Sequence, residues 1–347
     1  MRKNSLNHES LWKLDFMRMC MANFLFFVSI YTLLPLLPSV MVPQLGISTG
    51  EVGGMFLVFA AGMFVVGPFH AYLGDEHKRK HVLIYSILVT LGVTVGYLFV
   101  DTYPRLLLLA AIQGGAFGLA TTAGITVAID ITTSSRRSAG NMAYTLAARL
   151  GMVVGVGAGA WMKMYTEGLG MAVYLSVACG VVSMLFALQV HVAFRAPIGV
   201  GYCNFDRFLL LRSWLPAINM VLIAFIPGVL MPMDGGYSAV FFLIVLLALT
   251  IPFTKMFVKL SHHCQRGTAN TTCHLAIEAG VLIGIAVCCL LSDSVEISST
   301  LEDGSRIARQ LLYVDFQLIY KVAGVGIIVA SLFFLLTYRY YKKMKVR

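Results

Sequence analysis

Two ionisable residues interrupt long apolar runs of this chain. Arg149 lies within the run 141–162 and Glu278 within 269–291. Each is about eight residues inside its run, roughly 12 Å deep at a rise of about 1.5 Å per residue. An ionised group at the middle of a membrane helix costs about 2.5–3.5 kcal/mol on insertion scales, so such groups pair or line a cavity. Three chemistries fit them. They are a direct Arg149–Glu278 ion pair, a Glu278 carboxyl that carries a proton for coupling, or an Arg149 guanidinium that binds an anion. A structural pair that binds nothing would also satisfy both charges.

Both residues belong to an internal repeat. Residues 137–155 recur at 266–284, with the matched positions 129 apart. Arg137, Asn141, Leu146, Ala147, Gly151 and Gly155 meet Arg266, Asn270, Leu275, Ala276, Gly280 and Gly284, six identities in 19 positions. Arg149 meets Glu278, and Asp130 meets Lys259. Both copies run from a basic loop into a glycine-rich apolar stretch, so both cross a membrane in the same direction. Parallel repeats about an axis along the membrane normal occur in one class of secondary transporter. Opposite charges at matched positions imply halves that meet and pair.

The elements that must carry these residues are membrane helices. With 59% hydrophobic and 12% charged residues and a mean hydropathy of +0.82, the chain reads as an integral membrane protein. Ten apolar runs are long enough to span, near 16–42, 51–73, 82–100, 104–129, 141–162, 170–194, 213–232, 236–258, 269–291 and 315–339. They are continuous rather than alternating, which excludes strands as spans. Of 26 Lys and Arg, 20 fall on one side of these spans and 4 on the other. That bias places both termini in the cytoplasm, and explains the net charge of +10 without nucleic acid. The polar start of the chain leads into an uncleaved first helix.

Residues 196–212, with Pro197, Gly199 and Gly201, form the seam between halves. The expected organisation is a six-helix bundle over 1–195, a cytoplasmic linker over 196–212 and a four-helix bundle over 213–347. Since the repeat aligns the ninth span with the fifth, the second half lacks two helices. The outer segment 292–315 is the longest loop on its side. The stretch 305–316 at its end has a helical period and reads as an interfacial helix.

Other candidate chemistry is thin. His262, His263, Cys264, Cys273 and His274 match no structural zinc spacing, so no metal site is expected. The seven cysteines lie mostly in spans or basic loops and form no disulfide framework. No Gly-rich phosphate loop ends in Lys-Ser or Lys-Thr, and no nucleophile–base constellation stands out. ATP-driven transport, enzymatic activity and a bound cofactor are therefore not expected. Asn23, Phe27 and Tyr31 share a stripe of the first span, and Gln113 with Thr121 a stripe of the fourth. Each is also polar or aromatic glue between helices.

Several stretches resemble the major facilitator superfamily. After the second span come Ala71, Gly74, Asp75, Arg79 and Lys80, similar to its cytoplasmic loop signature. Asn23, Tyr31 and the Leu-Leu-Pro pairs ending at Pro35 and Pro38 look like its first helix. Gln113 and Gly118 look like its fourth, and Gly151, Gly155, Gly157 and Gly159 like its fifth. The chain departs at Ala110, where proton-driven members carry Arg, and at Val156, where a proline is expected. The resemblance implies a latch of Asp75, Arg79 and Asp130 at the cytoplasmic end, closing against the helix start at Thr268. It also places helices one, four and seven around a central cavity, which makes Asn23, Tyr31, Gln113 and Asn219 candidate substrate contacts beside Arg149 and Glu278.

The resulting reading is an all-α polytopic protein of a bacterial inner membrane, with a major-facilitator-like two-bundle fold of about ten transmembrane helices. It would be a secondary active transporter of a small organic molecule, working by alternating access, with efflux as the expected direction. Coupling to a proton or another ion fits Glu278, and a homodimer would reseal a shortened half. The rival is a degenerate transporter-like scaffold, sensor or partner subunit that moves nothing. A lipid-modifying membrane enzyme lacks paired acid and base groups on one loop.

Overall fold

The computed structural model describes residues 10–165, 169–193, 199–262, 265–300 and 306–343. His263, Cys264 and the N-terminal stretch 1–9 lie outside the described residues. In hydrocarbon a backbone must satisfy its own N–H and C=O groups, and the apolar runs are helices throughout. The chain opens with α1 (Leu14–Leu33) and the short α2 (Leu37–Leu45). The sequence reads these as one span, but Pro35 lacks an N–H and cannot continue the helix, so the chain turns there. A capping box between Ser48 and Glu51 starts α3 (Thr49–Val66). A single 3-10 turn links α3 to α4 (His70–Glu76). Then come α5 (Arg79–Gly96), α6 (Tyr103–Asp130), α7 (Arg137–Tyr165) and α8 (Gly170–Leu188). A linker carrying the one-turn α9 (Phe205–Phe208) leads to α10 (Trp214–Leu230), α11 (Tyr237–Leu260) and α12 (Arg266–Leu290). The hairpin β1 (Asp293–Thr300) and β2 (Arg306–Tyr313) precedes α13 (Phe316–Lys343). Among the described residues ten helical stretches are long and apolar enough to cross a membrane, α3 and α4 counting as one.

The hairpin corrects one expectation. Within 305–316, residues 306–313 form a strand rather than an interfacial helix, pairing antiparallel with β1, Val295 opposite Leu311 and Ile297 opposite Arg309. A strand partner a few residues upstream supplies hydrogen bonds that a lone segment would seek in a helix. β2 rests against α2, and Thr49 Oγ1 donates to Ser292 O at 2.6 Å. These contacts define a hairpin end of the molecule, opposite the linker end.

The helix pairing repeats itself. α1 packs against α7 and α8, and α10 packs in the same way against α12 and α13. The repeat glycines set both contacts. A Cβ on Gly151 would strike Phe24 O, and one on Gly155 would lie 2.9 Å from Val28 O. On Gly280 it would strike Val221 O, and on Gly284 it would strike Phe225 O. The same interval separates 24 from 221 and 28 from 225, so two helix pairs built on one pattern face each other. In the first half α5 and α6 pack together, α6 against α3 and α5 against α8. The second half has no counterpart, since the chain passes from Leu260 at the end of α11 to Arg266 at the start of α12. Between the halves, α12 packs against α3 and α11 against α7.

Candidate functional site

The repeat brings its own matched residues into contact. Arg149 Nη1 lies 2.6 Å from Glu278 Oε1, with the side chains 1% and 2% exposed. Four residues earlier in each helix, His274 Nε2 lies 3.0 Å from Thr145 Oγ1, another matched pair. A residue that touches its own symmetry mate must sit beside the axis relating the two copies. The centre of the molecule is therefore held between α7 and α12, on faces turned away from the glycines that seat α1 and α10.

Around that centre every bond has a readable direction. Tyr31 donates its hydroxyl to Glu278 Oε2, so the carboxylate is shared by a guanidinium and a phenol. Arg149 Nη2 lies 2.8 Å from His274 Nδ1. A guanidinium only donates, so His274 Nδ1 accepts and the ring proton sits on Nε2, which donates to Thr145. The Thr145 hydroxyl then has Asn141 O at 2.8 Å and Asn270 Oδ1 at 3.0 Å as acceptors. The guanidinium also stacks on Phe27, 5.5 Å from the ring centroid, and Phe27 stacks on Tyr31. Arg149 Nε and Asn270 Nδ2 are buried without a partner. Donors thus remain in the densest part of the site.

The remaining predicted contacts go elsewhere. Asn23 Nδ2 donates to Tyr144 O at 2.9 Å, tying α1 to α7. Gln113 Oε1 accepts from Tyr97 at 2.6 Å, and Asn219 Nδ2 lies 3.4 Å from Leu215 O and from Thr337 Oγ1. Tyr31 joins Arg149 and Glu278; Asn23, Gln113 and Asn219 bond to neighbouring helices instead. His274, which the repeat matches to Thr145 at a cavity or interface position, bonds to that residue beside the ion pair. The sequence left Phe27 as part of a stripe.

At the linker end Arg79 Nη1 meets Asp130, 2.6 Å from Oδ2 and 2.8 Å from Oδ1. Asp130 thereby pairs within its own half, and its repeat match Lys259 is exposed. Asp75 reaches the linker, accepting from Gly199 N at 2.9 Å and Val200 N at 3.2 Å. The linker also meets the start of α12, and Asp75, Arg79 and Thr268 line one cavity there. Thr268 Oγ1 donates to Arg207 O, and Leu210 N donates to Thr272 Oγ1 at 2.8 Å. Two cavities flank these features. One is an open apolar groove of about 970 Å³ between α3, α5 and α6. The other, of about 650 Å³, lies at the linker end. Neither is lined by Arg149 or Glu278.

A model of the Major Facilitator Superfamily matches residues 19–292. Among curated proteins the chain is similar to the quinolone resistance protein NorA of Staphylococcus aureus. It is 24% identical to the protein of strain MRSA252 over 208 residues, 58% of this chain and 53% of that protein. For strain COL the identity is 23% over 205 residues, 58% of this chain and 52% of that protein. The match thus spans about half the length of these relatives. Among solved structures, two of the nucleoside transporter NupG, one of them a single-residue variant, are similar in fold at 13% identity. The variant has a TM-score of 0.60 and covers 93% of this chain and 99% of its own. The other has a TM-score of 0.57 and covers 92% and 98%.

Proposed function

As the chain belongs to the major facilitator superfamily, we propose that it is a secondary active transporter of a small organic molecule, working by alternating access in the direction of export. The observation that carries this reading is the meeting of Arg149 with its repeat match Glu278, beside the axis about which the halves would rock. Coupling to a proton or another cation would need a central group whose charge changes between states. A proton or a cationic substrate on Glu278 would remove the carboxylate that Arg149 and Tyr31 share, and so loosen α7 from α12. Phe27, Tyr31 and Phe117, packed on one another, would offer aromatic faces to an organic molecule. The quinolone resistance relatives support export, whereas the nucleoside transporters of similar fold leave the substrate class wider.

Arg79, Asp130 and Asp75 would form the latch at the linker end. The basic bias of the loops assigns that end to the cytoplasm of a bacterial inner membrane, with both termini inside. The proposed organisation remains 1–195, 196–212 and 213–347. Two observations favour the second reading, a scaffold, sensor or partner subunit that moves nothing: two helices are missing from the second half, and an ion pair occupies the centre.

Flux into vesicles containing the reconstituted chain separates the two. Under an imposed proton gradient, transport of a fluorescent quinolone or a nucleoside is expected, and Glu278→Gln should abolish its dependence on the gradient while the protein stays folded. Gradient-dependent flux that survives Glu278→Gln removes the coupling role. No flux of any candidate by folded protein favours the scaffold.

A further inference from the structure

We infer that the cavity at the linker end binds an oxyanion of the phosphate or carboxylate type. Arg137 and Arg266 are matched residues of the repeat and the first residues of α7 and α12, and both line this one cavity. Arg79 and Arg207 line it as well, against Asp75 and Asp206. Arg79 is engaged by Asp130, and Asp75 accepts from the amides of Gly199 and Val200. That leaves Arg137, Arg207 and Arg266 facing Asp206, a net positive enclosure.

The Nε of Arg137 and the Nε of Arg266 are both buried without a hydrogen-bond partner. Two guanidiniums that line one space repel each other, and their terminal N–H groups call for an acceptor. An oxyanion between them answers both demands, since planar N–H forks match phosphate and carboxylate oxygens. The first-turn amides of the two helices add positive potential on the same side. A volume of about 650 Å³ lies within the range of small-molecule sites, about 300–1,000 Å³. The site stands apart from the Arg149–Glu278 centre and does not rest on the transport reading.

The test is binding rather than flux. The full chain in nanodiscs of zwitterionic lipid is titrated with inorganic phosphate at constant ionic strength, and its thermal unfolding midpoint is followed. A saturable rise is expected, with apparent affinity weakened at least tenfold in the double variant Arg137→Gln, Arg266→Gln and unchanged in Lys259→Gln. Should the double variant fail to fold, Arg207→Gln, an exposed position on α9, should weaken binding about threefold. A second arm uses nanodiscs with phosphatidylglycerol. If that lipid raises the midpoint and abolishes the phosphate response, the anion is a lipid headgroup; if the response persists, it is a free solute. Absence of a saturable effect in both lipids overturns the inference, as does an equal response in the wild type and whichever arginine variant folds.

Discussion

Two ion pairs in this molecule share a length of 2.6 Å and differ in surroundings. In Arg149–Glu278 the side chains are 1% and 2% exposed; in Arg79–Asp130 they are 28% and 3% exposed. The inner pair joins repeat-related helices from different halves, and the outer pair joins α5 to α6 within one half. Coulomb attraction between unit charges strengthens several-fold as the effective dielectric falls, and so does the penalty for leaving either charge alone. The inner pair is therefore costly to make and costlier to break, which suits a switch. In the outer pair only Arg79 reaches water, so opening it costs less than opening the inner pair.

The largest effect is expected at the centre. Removing one partner of a buried pair costs about 3–5 kcal/mol, so Arg149→Ala should lower unfolding stability by that order. Reversing both charges, Arg149→Glu with Glu278→Arg, should recover expression that either reversal loses alone. Unfolding in mixed detergent micelles measures the first and membrane yield the second. If the double reversal is no better than the singles, the two residues do not act as a pair and the comparison fails.

At the linker end Arg79→Gln should cost about 1–2 kcal/mol, between an exposed pair and a hydrogen bond to a buried charge. Salt sharpens the contrast. The Debye length shrinks from about 10 Å at 0.1 M to about 3 Å at 1 M. The penalty of Arg79→Gln should therefore decline with added salt, while that of Arg149→Ala holds. Equal salt dependence at both sites would show that water reaches the centre.

The sequence exposed the inner pair because lone charges in apolar runs are expensive, and the repeat placed them at matched positions. The ten spans were legible for a similar reason, as continuous apolar runs leave no alternative to helices. Asn23, Gln113, Asn219 and Tyr31 look alike in the sequence, as polar groups on apolar helices. Which of them meets the ion pair depends on the rotation of each helix against its neighbour, and a linear pattern does not carry that. Tyr31 faces α12 because Gly155 lets α7 lie close beside it. The hairpin was hidden because each strand is short and gains its hydrogen bonds only from the other. The bonds of Asp75 to the linker were not legible, because they use backbone N–H groups that a motif does not include.

The finest test concerns His274, which stands between the pair and Thr145. Its Nδ1 accepts from Arg149 and its Nε2–H donates to Thr145. Asparagine places an acceptor oxygen close to the Nδ1 position but does not reach Thr145. His274→Asn should therefore lose one neutral hydrogen bond, about 1 kcal/mol. His274→Gln keeps a donor near Thr145 and withdraws the acceptor from Arg149, so its cost should exceed that of His274→Asn. The opposite order would place the proton on Nδ1, which Arg149 as a pure donor does not allow unless the guanidinium turns away from the ring. The ranking of two small effects thus reports whether Arg149 is held by Glu278 alone or clamped from both sides.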